Sequence, residues 1–167
     1  MPSLDVVNSE PEENAAERLR ACNAAPRFVR EMLAGRPYPD AQTLVTRAEQ
    51  VARALPWDEV ALALAAHPRI GDRVAGSSAE AEASRREQSS MSDADSEVRA
   101  ALVDGNRAYE ETFDHVFLIR AAGRSPSEML DELRRRLDND VFTERAEVTE
   151  QLAQITALRV RRLVART

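Results

Sequence analysis

SPSEMLDELRRRLDNDVFTERAEVTEQLAQITALRVRRLV, residues 125–164, is the stretch whose spacing decides the fold. It opens on Ser125-Pro126-Ser127-Glu128, a serine in the N-cap position, a proline at the first helical position and a glutamate three residues after the cap. These residues predict a helix start, and Met129, Leu130, Leu133 and Leu137 then recur on one inner face. A second, longer helix is predicted from about Asp140 to Val164. Its apolar set, Val148, Leu152, Ile155, Leu158 and Leu163, keeps helical spacing and would close a bundle.

Working outward, the same period governs almost everything upstream. Between Pro11 and Leu33 the apolar positions Ala15, Leu19, Cys22, Phe28, Val29, Met32 and Leu33 are helical, but Pro26 disfavours helix at Ala25, so two short helices are expected. Gly35-Arg36-Pro37-Tyr38-Pro39 reads as a loop and Asp40 as an N-cap. Leu44, Val45, Ala48, Val51, Ala52 and Leu55 mark the next helix, which stops before Pro56. Trp57 to Ala66 restarts the pattern, and Pro68 ends it by biasing His67 toward extended geometry.

Residues 71–77 read as loop, 78–90 as a polar helix, and Ser92 or Asp93 as the cap of a helix running through Val98, Leu102, Asn106 and Tyr109 to about Thr112. Val116-Phe117-Leu118-Ile119 is the strongest strand-like window, too short to build a sheet and therefore expected as buried extended backbone. The expectation is a single all-α domain over residues 1–167, a compact multi-helix bundle with short mobile ends.

Composition agrees. The 167 residues are 43 % hydrophobic but only 4 % aromatic, with Ala, Leu, Glu and Arg dominant and five glycines; this suits packed helices and leaves little for hairpins. The formal charge of −6 argues against general affinity for a phosphate backbone, so no nucleic-acid partner is expected. Arg134-Arg135-Arg136 and Arg161-Arg162, the densest basic runs, lie among acidic neighbours and read as solvated helix faces. A single cysteine, Cys22, excludes an intrachain disulfide. No apolar run approaches the ~20 residues of a membrane span, and Met1-Pro2-Ser3-Leu4-Asp5 lacks the basic and apolar regions of a signal peptide, so a cytoplasmic protein is expected.

Few side chains can move protons near neutral pH. There are two histidines, and all 23 basic residues are arginines. Without lysine there is neither an internal Schiff base nor the usual anchor for pyridoxal phosphate, and no glycine-rich phosphate loop is present. Two histidines are too few for a persuasive metal site, although carboxylates could supply the remaining ligands. Carbanion chemistry here would therefore be cofactor-free, on a substrate that stabilises its own charge.

His67, in Ala65-Ala66-His67-Pro68-Arg69-Ile70-Gly71, has the acidity for proton transfer, although a lone histidine at a helix end more often caps or packs. His115, between Phe113 and Phe117, reads as a partly buried structural histidine. Ser84, Glu87 and Gln88 stand at i, i+3 and i+4 and share one helix face. Taken alone, such a trio is more often a solvent-exposed face than a ligand wall.

Together, HPRIG at 67–71, SRREQ at 84–88, NRAYEETFDHVFLIRAAGRS at 106–125 and ITALRV at 155–160 resemble the OHCU decarboxylases of purine catabolism, and the likeness spans nearly the whole chain. The resemblance implies an all-helical, cofactor-free homodimer. Its substrate would be 2-oxo-4-hydroxy-4-carboxy-5-ureidoimidazoline, and its products (S)-allantoin and carbon dioxide. It also implies a catalytic His67 with Glu87 as its acid/base partner, and a substrate pocket formed by Pro68, Ser84, Arg85, Arg86 and Gln88. The segment Phe117, Leu118, Ile119, Arg120, Ala121, Ala122 and Gly123 would contact the ring through its backbone, and Arg159 would hold a carboxylate or ureido oxygen, with Arg161 a weaker alternative. Asp114-His115 departs from the small or apolar residues of many relatives. The rival reading is a helical module that binds a ureido or carboxylate ligand without turnover.

Overall fold

The computed structural model describes residues 3–70, 79–87 and 96–165. Within them the chain forms nine α-helices and no strand: α1 (Leu4–Ser9), α2 (Glu12–Cys22), α3 (Pro26–Ala34), α4 (Ala41–Arg53), α5 (Trp57–Leu64), α6 (Ala79–Glu87), α7 (Ser96–Phe113), α8 (Pro126–Leu137) and α9 (Val141–Leu163). The fold is all-α, as the periodicity predicts. It divides into two compact units, one built from Met1–Ala63 and Leu152–Thr167, the other from Leu64–Gln151.

In the first unit α2 packs on α3 and α3 on α4. The predicted break between α2 and α3 is made by Asn23, whose Oδ1 accepts from the Ala25 N–H at 3.0 Å while its Nδ2 donates to Thr156 Oγ1 at 3.1 Å. Pro26 then occupies the first turn of α3, where its missing N–H costs no helical bond. Asp40 caps α4 by accepting from the Thr43 N–H at 2.7 Å. Phe28, Met32, Leu44 and Ala48 are fully buried, each large side chain contributing about 1.5–3 kcal/mol relative to an exposed one. Helix α1 has no counterpart in the sequence reading. Val7 anchors it in the core, and Arg36 Nη1 donates to the Val7 and Glu10 carbonyls at 3.1 and 3.0 Å, satisfying groups that so short a helix cannot pair internally.

The second unit holds α6, α7, α8 and the first part of α9. Helix α7 packs on α8, closely enough at Gly105 that a Cβ would lie 2.6 Å from Leu133 Cδ2. Ile70, Leu102, Tyr109, Phe117, Ile119, Met129 and Leu133 form its core. Ser125 caps α8 as predicted, accepting from the Glu128 N–H at 3.1 Å. Asp140 does the same for α9 through Thr143 at 2.7 Å. Helix α5 ends at Leu64, two residues before the predicted Ala66, because the His67 N–H turns back to the Leu64 carbonyl at 3.0 Å in a tighter i−3 bond. The predicted loop 71–77, the caps Ser92 and Asp93, and the end of the polar helix at 88–90 lie outside the described residues.

One expectation is overturned. The triplet Arg134-Arg135-Arg136 is not a solvated face throughout: Arg134 and Arg135 are exposed, but Arg136 is 1 % exposed and pairs with Glu144, itself 0 % exposed. Arg136 falls seven residues after Met129 and three after Leu133, so helical geometry carries it onto the inner stripe of α8. A buried ion pair persists only when its remaining polar atoms are hydrogen-bonded. Here they are, as described below.

Candidate active site

His67 and Pro68 lie just after α5, both half-buried. Two contacts from α7 hold this loop. Asn106 Nδ2 donates to the Ile70 carbonyl at 2.8 Å, and Arg69 forms a two-armed bond with Glu110, Nε to Oε1 at 2.6 Å and Nη2 to Oε2 at 3.1 Å. A fixed loop matters for a proton-transfer group, because misplacement by about 1 Å can cost roughly 10²-fold in rate.

Helix α6 supplies the polar pair. Ser84 is 2 % and Glu87 8 % exposed, whereas Arg85 and Arg86 between them are exposed. The i, i+3 spacing therefore turns a hydroxyl and a carboxyl inward with Ala81, and the surface reading of this face does not hold for Ser84 and Glu87. Gln88 lies outside the described residues. Ser84 and Glu87 are thus buried polar side chains on a helix whose intervening positions 85 and 86 face outward.

The segment 117–123 runs without helix between α7 and α8, and Phe117, Leu118, Ile119 and Ala121 are buried, as the strand-like window predicts. Its backbone is held by side chains. Arg136 Nη1 donates to the Leu118 carbonyl at 2.7 Å, the Arg120 N–H donates to Gln151 Oε1 at 2.9 Å, and Arg124 Nε donates to the Arg120 carbonyl at 2.9 Å. Gly123 closes the segment at φ 80°, a left-handed conformation that suits glycine.

Behind the segment lies a buried polar network. Arg136 Nε reaches both oxygens of Glu144 at 3.1 and 3.0 Å and its Nη2 reaches Oε2 at 2.5 Å; Asn139 Nδ2 donates to Oε1 at 3.0 Å, and the Tyr109 hydroxyl donates to Oε2. The guanidinium carbon lies 4.5 Å from the Phe117 ring centroid. Burial first, and then the bond to Glu144, push the Tyr109 phenol far above its ordinary value, so it remains a donor. Arg136, Glu144, Asn106 and Gln151 are supports that the sequence reading did not single out.

His115 is half-buried, with Nδ1 3.0 Å from the Val116 carbonyl and its ring edge-on to Tyr109 at 5.5 Å, consistent with a packed, structural histidine. Arg159 belongs to the first unit, where it is buried and Nη1 donates to the Ala21 carbonyl at 3.3 Å. Two hollows of about 650 and 420 Å³ also lie in the first unit, and none of the candidate residues lines them. Among the described residues no group of three or more His, Cys, Asp or Glu side chains is placed to hold a metal ion, and no helix is long and apolar enough to cross a membrane.

An all-helical chain presenting an inward Ser/Glu pair on α6 and an anchored His-Pro loop after α5 defines a small helical protein with buried polar side chains. The OHCU decarboxylase family model matches residues 8–161, and the chain belongs to that family. It is 27 % identical over 158 residues to the uric acid degradation bifunctional protein TTL of Arabidopsis thaliana, covering 90 % of this chain and 48 % of that protein. The chain thus spans about half the length of this curated relative. Among solved structures, an OHCU decarboxylase crystallised in the presence of (S)-allantoin superposes with a TM-score of 0.76 at 23 % identity, covering 89 % of this chain and 97 % of the other. An (S)-allantoin synthase gives 0.69 at 15 %, covering 98 % and 54 %. At these identities the two structures establish the fold alone.

Proposed function

We propose that this chain acts in urate degradation, converting 2-oxo-4-hydroxy-4-carboxy-5-ureidoimidazoline to (S)-allantoin and carbon dioxide without a cofactor. The observation that carries the reading is the inward burial of Ser84 and Glu87 on α6, in the same unit as His67, in a chain of this family. Loss of carbon dioxide breaks the C–CO₂ bond and leaves its electron pair delocalised in an enolate-type intermediate. Only charge stabilisation and one stereospecific protonation are then required of the protein.

In this reading His67 delivers the proton that fixes the configuration, and Glu87 orients the imidazole or takes the substrate hydroxyl proton. Ser84 and Gln88 hydrogen-bond the substrate, Pro68 walls the pocket, and segment 117–123 meets the ring through its backbone. The exposed Arg85 and Arg86 fit a peripheral role. Arg159 takes the carboxylate or ureido oxygen, as the family likeness implies, and the protein works as a cytoplasmic homodimer.

The test generates the substrate in situ by urate oxidation with its downstream hydrolase, adds the full chain, and follows optical activity. Rapid appearance of (S)-allantoin is expected. Racemic allantoin at the uncatalysed rate would sink the reading and favour a ligand-binding module without turnover.

A further inference from the structure

The segment between α7 and α8 carries an asymmetry. The Leu118 carbonyl, the Arg120 N–H and the Arg120 carbonyl are all bound by side chains, from Arg136, Gln151 and Arg124 respectively. The N–H groups of Ile119 and Ala121 donate to nothing among the described residues. The Leu118–Ile119 and Arg120–Ala121 peptides are trans, so each carbonyl points opposite to the N–H of the same peptide plane. Fixing the Leu118 oxygen therefore fixes the direction of the Ile119 N–H, and fixing the Arg120 oxygen fixes that of Ala121.

The first of these anchors is unusually constrained. Glu144 engages Nε and Nη2 of Arg136, and is itself held by Tyr109 and Asn139, so the guanidinium is clamped with Nη1 directed at the Leu118 carbonyl. Charge-assisted bonds of this two-armed kind add geometric as well as energetic definition. The remaining arm ends on the carbonyl whose peptide plane carries the Ile119 N–H, which donates to nothing among the described residues.

We propose that Arg136 is a positioning residue that aims the Ile119 N–H through the Leu118 carbonyl, and that Arg124 aims the Ala121 N–H in the same way, giving two preset donors for carbonyl or carboxylate oxygens of the substrate. The proposal rests on the reading above in which segment 117–123 meets the substrate. Donors preset before binding stabilise an oxygen without reorganisation, which is where such groups gain their effect.

The test compares the wild-type full chain with Arg136→Lys, which keeps the charge beside Glu144 but cannot hold the carboxylate with two arms and still reach Leu118. For a folded variant the expected result is a KM raised about tenfold or more, the scale of losing a hydrogen bond to a charged group, with kcat changed less. The Ile119 amide order parameter should fall from about 0.85 toward 0.6, while the Leu102 and Leu133 amides keep their wild-type values. Unchanged KM and an unchanged Ile119 amide overturn the proposal. Should Arg136→Lys fail to fold, the double variant Arg136→Met/Glu144→Gln removes both charges together and is judged by the same two readouts. A wild type without turnover refutes the decarboxylase reading separately, and the Ile119 amide then decides the positioning role alone.

Discussion

At the scale of single residues, Glu87 and Arg136 make opposite points about polar groups in a helical protein. Glu87 sits inward on a helix whose intervening positions are exposed arginines, so its burial was legible only as one of two faces that the i, i+3, i+4 spacing permits. Arg136 was hidden inside a run of three arginines, and run composition suggested solvent where helical phase, counted from Met129 and Leu133, points to the core. His67→Ala and Glu87→Gln are each expected to lower turnover by about 10²-fold or more, the usual range for a removed acid or base, with helical content and melting temperature close to wild type. Circular dichroism melts check this, and collapse of either variant would assign a structural role. Arg159→Ala is expected to raise KM more than it lowers kcat, readable from steady-state progress curves.

At the scale of elements, the helix starts were the most legible feature, because a cap is a local transaction between one side chain and one N–H. Asp40 and Ser125 cap as predicted, and Asp140, expected only as the approximate start of the last helix, caps it too. Ser125→Ala should cost about 1 kcal/mol, measured as a lowered urea midpoint at unchanged slope. The Asp40 and Asp140 carboxyls are held below the usual carboxylate range chiefly by the N–H groups of Thr43 and Thr143. A depressed folded value means the stabilisation is complete above the unfolded carboxylate range, near pH ~4, and fades as pH falls through the folded one. Asp40→Asn/Asp140→Asn should therefore show a shallower loss of melting temperature on acidification than wild type. The helix α1 was not legible, since six residues carry too little periodicity, and its support, Arg36, arrives from 26 residues or more along the chain. For the same reason the anchors of segment 117–123 were invisible: they depend on which carbonyl a distant side chain meets.

At the scale of the molecule, the Arg136–Glu144 pair predicts how the second unit responds to loss of charge. Removing one partner leaves the other buried and uncompensated, so Arg136→Met should cost about 3–5 kcal/mol, whereas Arg136→Met/Glu144→Gln should recover much of that in chemical denaturation. The first unit has a different property, which follows from its Asn23–Thr156 bond across 133 positions of sequence. It is assembled from both ends of the chain, residues 1–63 and 152–167. During synthesis its opening helices leave the ribosome long before the segment that completes their core, so this unit cannot finish until residues 152–167 have emerged, while residues 64–151 are already contiguous. Moving the chain ends by circular permutation, joining 167 to 1 and opening the chain after residue 70, would make the first unit continuous and should quicken its folding, because less loop entropy then precedes the contact.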